Sequence, residues 1–232
     1  MNKLEQYFFD GEKKLPVHKW HHYFEIYDRH FKKFIGKKPT ILEIGIARGG
    51  SLEMWNHYFD NECTIYGIDI NDKSEVRDTL NMSNIHIDVG DQSSVDFWKQ
   101  YLSDKPKFDI VVDDGGHKMD QQITTIQQLY DHVDENGVYL CEDTHTSYWH
   151  GWNGGYKNPD TFIEHAKDFV DGLHYQHIAN KRHQSKIDKI DKNVDLNRLE
   201  HIKQTTDSIH FYDSVVVIEK RVNPPIKPSW GR

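Results

Sequence analysis

The sequence predicts an α/β fold built on a mostly parallel β-sheet. Five short apolar segments alternate with segments of helical periodicity, and acidic residues follow each apolar segment. Strands connected through helices pair in parallel with a right-handed crossover. Near the C-terminus, Asp213 and Ser214 join two more apolar segments, and so short a turn permits only antiparallel pairing. We therefore expect seven strands, five of them parallel and followed by an antiparallel hairpin.

The composition excludes several classes of protein. At 232 residues the chain suits one α/β domain with additional segments. The formal net charge of -8 argues against a general nucleic-acid binder, which needs a basic surface to neutralise phosphates. The chain has no apolar run near the roughly 20 residues needed to span a membrane, and its first residues lack the apolar core of a secretory signal. The two cysteines, Cys63 and Cys141, are expected to be reduced and buried, which favours a cytoplasmic protein.

The first predicted strand, residues 40–46, leads into a glycine-containing turn and a helix at residues 52–58. This arrangement brings unpaired backbone N–H groups towards a bound ligand. Glu43 is an acid inside an apolar strand, and it requires a partner such as a ligand ammonium or backbone N–H groups. Ala47 stands at the second glycine of the dinucleotide-binding fingerprint, which counts against an NAD-dependent oxidoreductase.

The next two strands also end in acids. Residues 64–69 form the second strand and finish with Asp69, where α/β nucleotide binders place the carboxylate that holds ribose hydroxyls. A weaker third strand, residues 85–87, precedes Asp91. Asp91 is expected either to contact the same ligand or to cap a turn.

The fourth and fifth strands predict a metal site. Asp113 and Asp114 follow one apolar run, and Glu142 and Asp143 follow the next, with a helix predicted over residues 119–130 and a turn over residues 134–137. Carboxylates that converge at the carboxyl edge of a sheet repel one another unless a cation or protons intervene. The alternative is that these acids cap the strand ends. An all-oxygen ligand set favours Mg²⁺, Mn²⁺ or Ca²⁺, whereas a histidine ligand, His117 or His145, would favour zinc or iron.

Aromatic residues lie among glycines after the fifth strand. Their arrangement suits stacking on a sugar or planar acceptor, or alternatively packing onto the domain. The candidates for acceptor contacts are His145, Tyr148, Trp149 and Tyr156. A helix is predicted over residues 159–173, and the charged residues 181–204 are predicted to form a surface helix or lid. Lys181, Arg182 and His183 are further candidate substrate contacts.

Five sequence runs resemble class I S-adenosylmethionine-dependent methyltransferases: LEIGIARGGSLEMW, YGIDIND, GDQSS, VVDDGGH and GVYLCEDTHTSYW. They are most similar to the metal-dependent sugar O-methyltransferases of macrolide biosynthesis and to the rhamnosyl O-methyltransferase and cephalosporin-hydroxylase-like group. The resemblance covers residues 20–220 and implies a Rossmann-like methyltransferase fold. It also implies S-adenosylmethionine and Mg²⁺, or Mn²⁺ or Ca²⁺ in its place, as cofactors.

The resemblance also implies roles for individual residues. Asp114, Glu142 and Asp143 are the implied metal ligands. His117 is the implied general base, and the alternative is a histidine that orients Asp114. The expected cofactor contacts are Glu43, Gly45, Ala47, Ser51, Asp69, Asp91 and Asp113, together with Tyr23 from the N-terminal segment.

Three regions are expected along the chain. Residues 1–38 form a helical segment over the cofactor pocket, which Lys19, His22 or Tyr23 would help to line. Residues 39–222 form the methyltransferase domain, with residues 144–205 as acceptor loop and lid, and residues 223–232 form an extended tail containing Pro224, Pro225 and Pro228.

The expected function is methylation of a sugar hydroxyl in a glycoside, a nucleotide sugar or a surface polysaccharide precursor. The expected partner is thus a small-molecule or glycan acceptor, and self-association into a homo-oligomer is a further expectation. Three alternatives stay open at this point. They are a non-catalytic or hydroxylase-associated protein of the same fold, a methyltransferase for a non-sugar small molecule, and methylation of nitrogen in a protein or RNA, which would not require a metal.

Overall fold

The computed structural model describes residues 1–178 and 194–224. Within them, seven strands form one sheet in the order β3-β2-β1-β4-β5-β7-β6. The strands are β1 (Thr40–Ile44), β2 (Thr64–Asp69), β3 (Ile85–Val89), β4 (Phe108–Asp113), β5 (Val133–Cys141), β6 (Thr206–Tyr212) and β7 (Val215–Lys220). The helices are α1 (Lys3–Asp10), α2 (Tyr23–Phe31), α3 (Gly50–Tyr58), α4 (Ser74–Leu80), α5 (Val95–Tyr101), α6 (Met119–Leu129), α7 (Phe162–Leu173), α8 (Tyr175–Ile178) and α9 (Leu196–Thr205).

The strand directions confirm the predicted sheet. Strands β1 to β5 are mutually parallel, and β7 runs antiparallel to β5. Strand β6 pairs antiparallel with β7 and so runs in the same direction as β1 to β5. The hairpin therefore inserts its second strand between β5 and β6, and the carboxyl ends of five parallel strands meet at one edge.

Both faces of the sheet are covered, which explains why its strands read as continuous apolar runs. Alternate residues of a strand point to opposite faces. Val112 and Leu140 pack with Tyr27 and Trp55 on the face covered by α1, α2 and α3. The other face carries a second buried cluster, which includes Val111, Tyr139, Trp98 and Phe162.

The turn expected over residues 134–137 is wrong, because these residues lie inside β5. Val133 pairs with Phe108 and Val138 pairs with Ile110, so the register shifts between the two pairs. Turn-forming residues are accommodated here in an irregular part of the strand, since β5 continues into its apolar half without reversing direction.

The helix expected over residues 1–38 is two helices separated by residues 11–22. Helix α1 ends at Asp10, and the N–H of the following Gly11 donates to the Tyr7 carbonyl. Pro16 has no backbone N–H to donate, which disfavours a helix through this part of the chain. We call residues 12–22 the crossing segment, because they pass over the carboxyl edge of the sheet.

Smaller differences occur at the element ends. Strand β1 ends at Ile44, α3 begins at Gly50, and the helix expected from residue 159 begins at Phe162 with the Thr161 side chain as its cap. In the charged region expected over 181–204, residues 196–205 form α9, whereas Lys181, Arg182 and His183 lie outside the described residues, as do residues 225–232. Across residues 1–178 and 194–224, none of the helices is both long and apolar enough to cross a membrane.

Candidate active site

A cavity of about 640 Å³ opens at the carboxyl edge of the sheet. Its walls come from the ends of β1, β2, β4 and β5, from the start of α3 and from the crossing segment. Its volume lies in the range of small-molecule binding sites. The expected positions that line it are Tyr23, Gly45, Ala47, Ser51, Asp69, Asp91, Asp114, His117, Glu142 and Asp143.

The turn after β1 depends on glycine. Gly45 has a φ of 83°, and its N–H donates to the Ile68 carbonyl at 2.8 Å. A Cβ on Gly45 would lie 2.0 Å from the Asp114 carbonyl oxygen, so only glycine allows β1 and the β4 end to approach this closely. Gly49 also has a positive φ, and it directs the N-terminus of α3 towards the cavity.

Two acids on the cavity wall are held by nearby backbone groups. Asp69 accepts from the N–H groups of Ala47 at 3.2 Å and Asn71 at 3.0 Å. Asp91 accepts from the N–H and hydroxyl of Ser93. These bonds fix the carboxylates at the ends of β2 and β3, where each faces the cavity.

Asp113 and Glu43 lie beneath the cavity wall and do not line it. Asp113 accepts from the Tyr139 hydroxyl at 2.9 Å and from Gln92 Nε2 at 3.0 Å, and burial raises its pKa to about 6. Glu43 is fully buried, and neither of its oxygens has a hydrogen-bond partner among the described residues. Burial raises the pKa of Glu43 to about 7, and Lys19 Nζ lies 4.0 Å from its carboxylate.

Asp114, His117 and Asp143 form a cluster at the cavity, with one ligand atom of each within 4.8 Å of the others. His117 Nε2 lies 3.5 Å from Asp143 Oδ2 and 4.0 Å from Asp114 Oδ1. His117 and Asp143 have φ values of 58° and 52°. Non-glycine residues rarely adopt this conformation, and such strain is concentrated at functional sites.

Thr146 supports both strained residues and was not among the expected site residues. Its hydroxyl lies 2.9 Å from the carbonyl oxygens of His117 and Asp143. The side chain is buried and thus holds the turn after β4 against the turn after β5. The Thr-His-Thr run after β5 was the only signal in the sequence.

Glu142, the third expected metal ligand, is bound by two other residues. Lys19 Nζ lies 2.8 Å from both Glu142 oxygens and 2.6 Å from Asp114 Oδ2. The Tyr27 hydroxyl donates to Glu142 Oε1 at 2.6 Å. Burial lowers the pKa of Lys19, but Asp114 and Glu142 outweigh that effect and raise it above its ordinary value. Burial and the neighbouring Asp114 raise the pKa of Glu142.

Helix α2 supplies two phenols to the acidic cluster, the name we give to Asp114, Glu142 and Asp143. Tyr23 donates to Asp143 Oδ1 at 2.7 Å, and Tyr27 donates to Glu142. Residues four apart lie on the same face of a helix, so both hydroxyls reach adjacent carboxylates at the end of β5. Tyr27 was not among the expected site residues.

A row of aromatic rings extends outward from the cavity. Trp20 lines the cavity and stacks on His145 at a centroid distance of 5.3 Å. His145 contacts Trp149 at 4.4 Å, and Trp149 contacts Trp152 at 5.3 Å. We call these four residues the aromatic row. Of the other expected acceptor contacts, Tyr148 is 50% exposed and Tyr156 is 79% exposed, and neither lines the cavity.

The donor chemistry of the acidic cluster fits a hard divalent cation. Carboxylate oxygens of Asp114, Glu142 and Asp143 are of the type that Mg²⁺ and Mn²⁺ prefer. The Lys19 ammonium shows that a cation is already accommodated between Asp114 and Glu142. His117 offers a nitrogen on the Asp114 and Asp143 side of the cluster.

Comparison with known proteins agrees with this geometry. The profile of FtsJ-like methyltransferases matches residues 20–145. The chain is 33% identical over 215 residues to the 8-demethyl-8-alpha-L-rhamnosyl tetracenomycin-C 2'-O-methyltransferase of Streptomyces olivaceus, covering 88% of this chain and 52% of that protein. It is 33% identical over 208 residues to the mycinamicin VI 2''-O-methyltransferase of Micromonospora griseorubida, covering 85% and 47%.

Solved structures give the same picture. MycE methyltransferase from the mycinamycin biosynthetic pathway, in complex with Mg and SAH, superposes with a TM-score of 0.73 at 28% identity. The match covers 92% of this chain and 54% of that one. The chain therefore spans about half the length of the curated relatives it matches.

Proposed function

Because the chain belongs to the FtsJ-like methyltransferase family, we propose that it is an S-adenosylmethionine-dependent O-methyltransferase that uses a divalent cation and acts on a sugar hydroxyl. The acceptor would be a glycoside, a nucleotide sugar or a surface polysaccharide precursor. The observation that supports this most strongly is the meeting of Asp114, His117 and Asp143 beside a cavity of cofactor size.

Different cavity residues are assigned to different parts of the cofactor. Backbone groups of Gly45, Ala47 and Ser51 approach the cofactor at the start of α3, and Asp69 faces the cavity where ribose hydroxyls bind in this type of fold. Asp91 and Tyr23 complete the wall. Glu43 and Asp113 act from beneath the wall, through charge and by supporting their neighbours.

Asp114, Glu142 and Asp143 would hold the divalent cation. When bound, S-adenosylmethionine supplies the methyl group and the divalent cation lowers the pKa of the acceptor hydroxyl. His117 takes the hydroxyl proton at Nε2, the nitrogen that faces Asp114 and Asp143. Thr146 keeps that imidazole in place, since it supports the His117 backbone in its strained conformation.

The acceptor would lie along the aromatic row. Trp20 and His145 stand next to the acidic cluster, and Trp149 and Trp152 extend the apolar surface to solvent. Flat aromatic faces suit the apolar faces of sugar rings. Tyr148 and Tyr156, exposed on the loop of residues 144–156, would contact an acceptor larger than one sugar.

The test is methyl transfer from labelled S-adenosylmethionine to a panel of glycosides and nucleotide sugars, with Mg²⁺ or with a chelator. We expect incorporation that the chelator abolishes. His117→Ala should lose at least about 100-fold in kcat because the general base is removed, while S-adenosylhomocysteine still binds.

His132→Ala is the matched control, because His132 bonds to backbone carbonyls at Lys105 and Pro106, away from the cavity. Its turnover should equal that of the wild type. Full turnover by a folded His117→Ala variant would remove His117 as the base.

A further inference from the structure

Lys19 is a buried cation at the centre of the acidic cluster. Its side chain is 3% exposed, and its ammonium contacts Asp114 at 2.6 Å and both oxygens of Glu142 at 2.8 Å. Glu43 lies 4.0 Å from the same ammonium. The closest partners of Lys19 are therefore two of the three carboxylates assigned to the divalent cation.

One ammonium can balance only one ionised carboxylate at this site. Glu43, Asp114 and Glu142 surround it, and Asp143 lies beside Asp114 in the same cluster. Ionising several buried carboxylates together is costly unless protons or an opposite charge compensate for them. A second positive charge would be favoured here, but Lys19 occupies the oxygens it needs.

We propose that Lys19 is an internal substitute for the divalent cation, and that it leaves Asp114 and Glu142 when the metal binds. This inference rests on the metal-dependent function proposed above and adds to it the state of the site before metal binding. Binding becomes an exchange of one cation for another, so Lys19 weakens the apparent affinity for the metal.

The position of Lys19 in the chain makes this exchange feasible. Lys19 belongs to the crossing segment, which has no regular secondary structure between α1 and α2. Its neighbours His18 and Trp20 are both exposed to solvent, and Lys19 itself lines the cavity. A flexible four-carbon side chain can therefore turn its ammonium out of the cluster without unfolding either helix.

Tyr27 makes the exchange a local event. Its hydroxyl donates to Glu142 Oε1 independently of Lys19, and it lies on a helix that packs against the sheet. Glu142 thus keeps one hydrogen bond and its orientation when the ammonium leaves. Asp114 likewise keeps the hydrogen bond that its backbone N–H donates to the Ile44 carbonyl.

The first test is Mn²⁺ binding, measured by the electron paramagnetic resonance signal of the free ion. Lys19→Met preserves the length of the side chain but removes its charge. We expect this variant to bind Mn²⁺ at least tenfold more tightly than the wild type, equivalent to about 1.4 kcal/mol. Equal or weaker binding by a folded Lys19→Met variant overturns the exchange.

Lys73→Met is the matched control. The Lys73 ammonium lies 3.5 Å from Asp69 at the cavity, so the control removes the same charge near the site but contacts neither Asp114 nor Glu142. We expect its Mn²⁺ affinity to stay within about twofold of the wild type. A tenfold gain in Mn²⁺ affinity in Lys73→Met as well would mean that the effect comes from the loss of any nearby positive charge, and it would overturn the specific role of Lys19.

A second measurement needs no variant. Reductive methylation of wild-type lysines, located by mass spectrometry, should leave Lys19 unmodified without metal and modify it with saturating Mg²⁺. Lys220, buried against the carbonyls of Tyr130 and Val133, is the internal reference that stays protected in both states. Lys19 protected equally with and without bound metal also overturns the exchange.

The two proposals fail in different ways. Wild-type protein that binds no Mn²⁺, or an Asp114→Asn variant that binds it as well as the wild type, contradicts the metal site and the exchange together. Wild-type binding that Asp114→Asn abolishes and Lys19→Met leaves unchanged contradicts only the exchange.

Discussion

At the scale of single residues, Glu43 shows how burial shapes this site. It is fully enclosed, neither of its carboxylate oxygens has a hydrogen-bond partner in the described part of the chain, and Lys19 lies 4.0 Å from one of them. Ionising such a group in the folded state costs free energy, because a buried carboxylate loses its hydration. The cost is tolerable in a binding site, where a cationic ligand can recover it.

Glu43 predicts a pH dependence for the ligand-free protein. Its folded-state pKa of about 7 exceeds its ordinary value, because burial favours the protonated form. The contribution of protonated Glu43 to the free energy of unfolding is fully present at pH values below the unfolded pKa. It is lost as the pH rises through 7, a change on the order of 3 kcal/mol. Glu43→Gln does not titrate, so its unfolding free energy relative to the wild type should increase from pH 5 to pH 8 in urea titrations.

Asp60→Asn provides the control for this experiment. The hydrogen bond from Lys3 lowers the pKa of Asp60. The contribution of Asp60 to the free energy of unfolding is therefore complete above its unfolded pKa and is lost only in more acidic solution. The difference in unfolding free energy between Asp60→Asn and the wild type should be constant between pH 5 and pH 8. A Glu43→Gln difference that is equally flat would contradict the raised pKa of Glu43.

Part of the site could be predicted at this scale and part could not. The acids at the strand ends were found because each follows its own apolar run. Asp113, the last residue of β4, is buried and Asp114 just after it is partly exposed, as expected where successive residues of an extended chain point in opposite directions. The contacts of Lys19 and Tyr27 with Glu142 were not accessible, since 123 and 115 residues separate the partners and no local pattern reports on such distances.

At the scale of elements, the glycine turn after β1 and helix α2 form opposite sides of the site. The turn brings the β1 end against Asp114, and α2 brings two phenols against Glu142 and Asp143. The apolar spacing of α2 was visible in the sequence. The interruption at residues 11–22 was not expected, although Gly11 and Pro16 within it disfavour a continuous helix.

Gly45 and Gly36 allow the role of that turn to be measured. Both have positive φ values, 83° and 75°, but a Cβ on Gly36 would meet no atom within 4 Å across the residues described. Gly36→Ala should therefore cost only about 1–2 kcal/mol of backbone strain. Gly45→Ala adds the clash with Asp114, and we expect it to cost roughly 1–3 kcal/mol more in urea unfolding and to weaken S-adenosylhomocysteine binding.

Equal unfolding free energies for the two glycine variants would mean that the β1 and β4 ends can separate freely. The close approach of Gly45 to Asp114 would then have no structural consequence. Weaker cofactor binding by Gly36→Ala would likewise show that the effect is not confined to this turn.

At the scale of the whole molecule, the N-terminal residues connect the cofactor cavity to the core. Helices α1 and α2 pack on the sheet together with α3, and the crossing segment between them contributes Pro16, Lys19 and Trp20 to the cavity. The parallel direction of β1 to β5 and the antiparallel pairing of β6 with β7 were predictable from connection lengths. The path of residues 12–22 was not, since it depends on contacts with several strand ends at once.

This connection predicts how the whole protein responds to S-adenosylhomocysteine in the absence of metal. A ligand at 100 times its Kd stabilises the native state by about 2.7 kcal/mol, which corresponds to a rise in Tm of roughly 5–10 °C for a chain of this length. Because residues 16–20 line the cavity, their amide hydrogen exchange should slow together with that of residues 45–51. Amides at the β6 end of the sheet provide the reference, since β6 lies at the far edge and should gain only the general stabilisation. Slower exchange at residues 45–51 with no change at residues 16–20 would mean that the crossing segment lies beside the cofactor without closing over it.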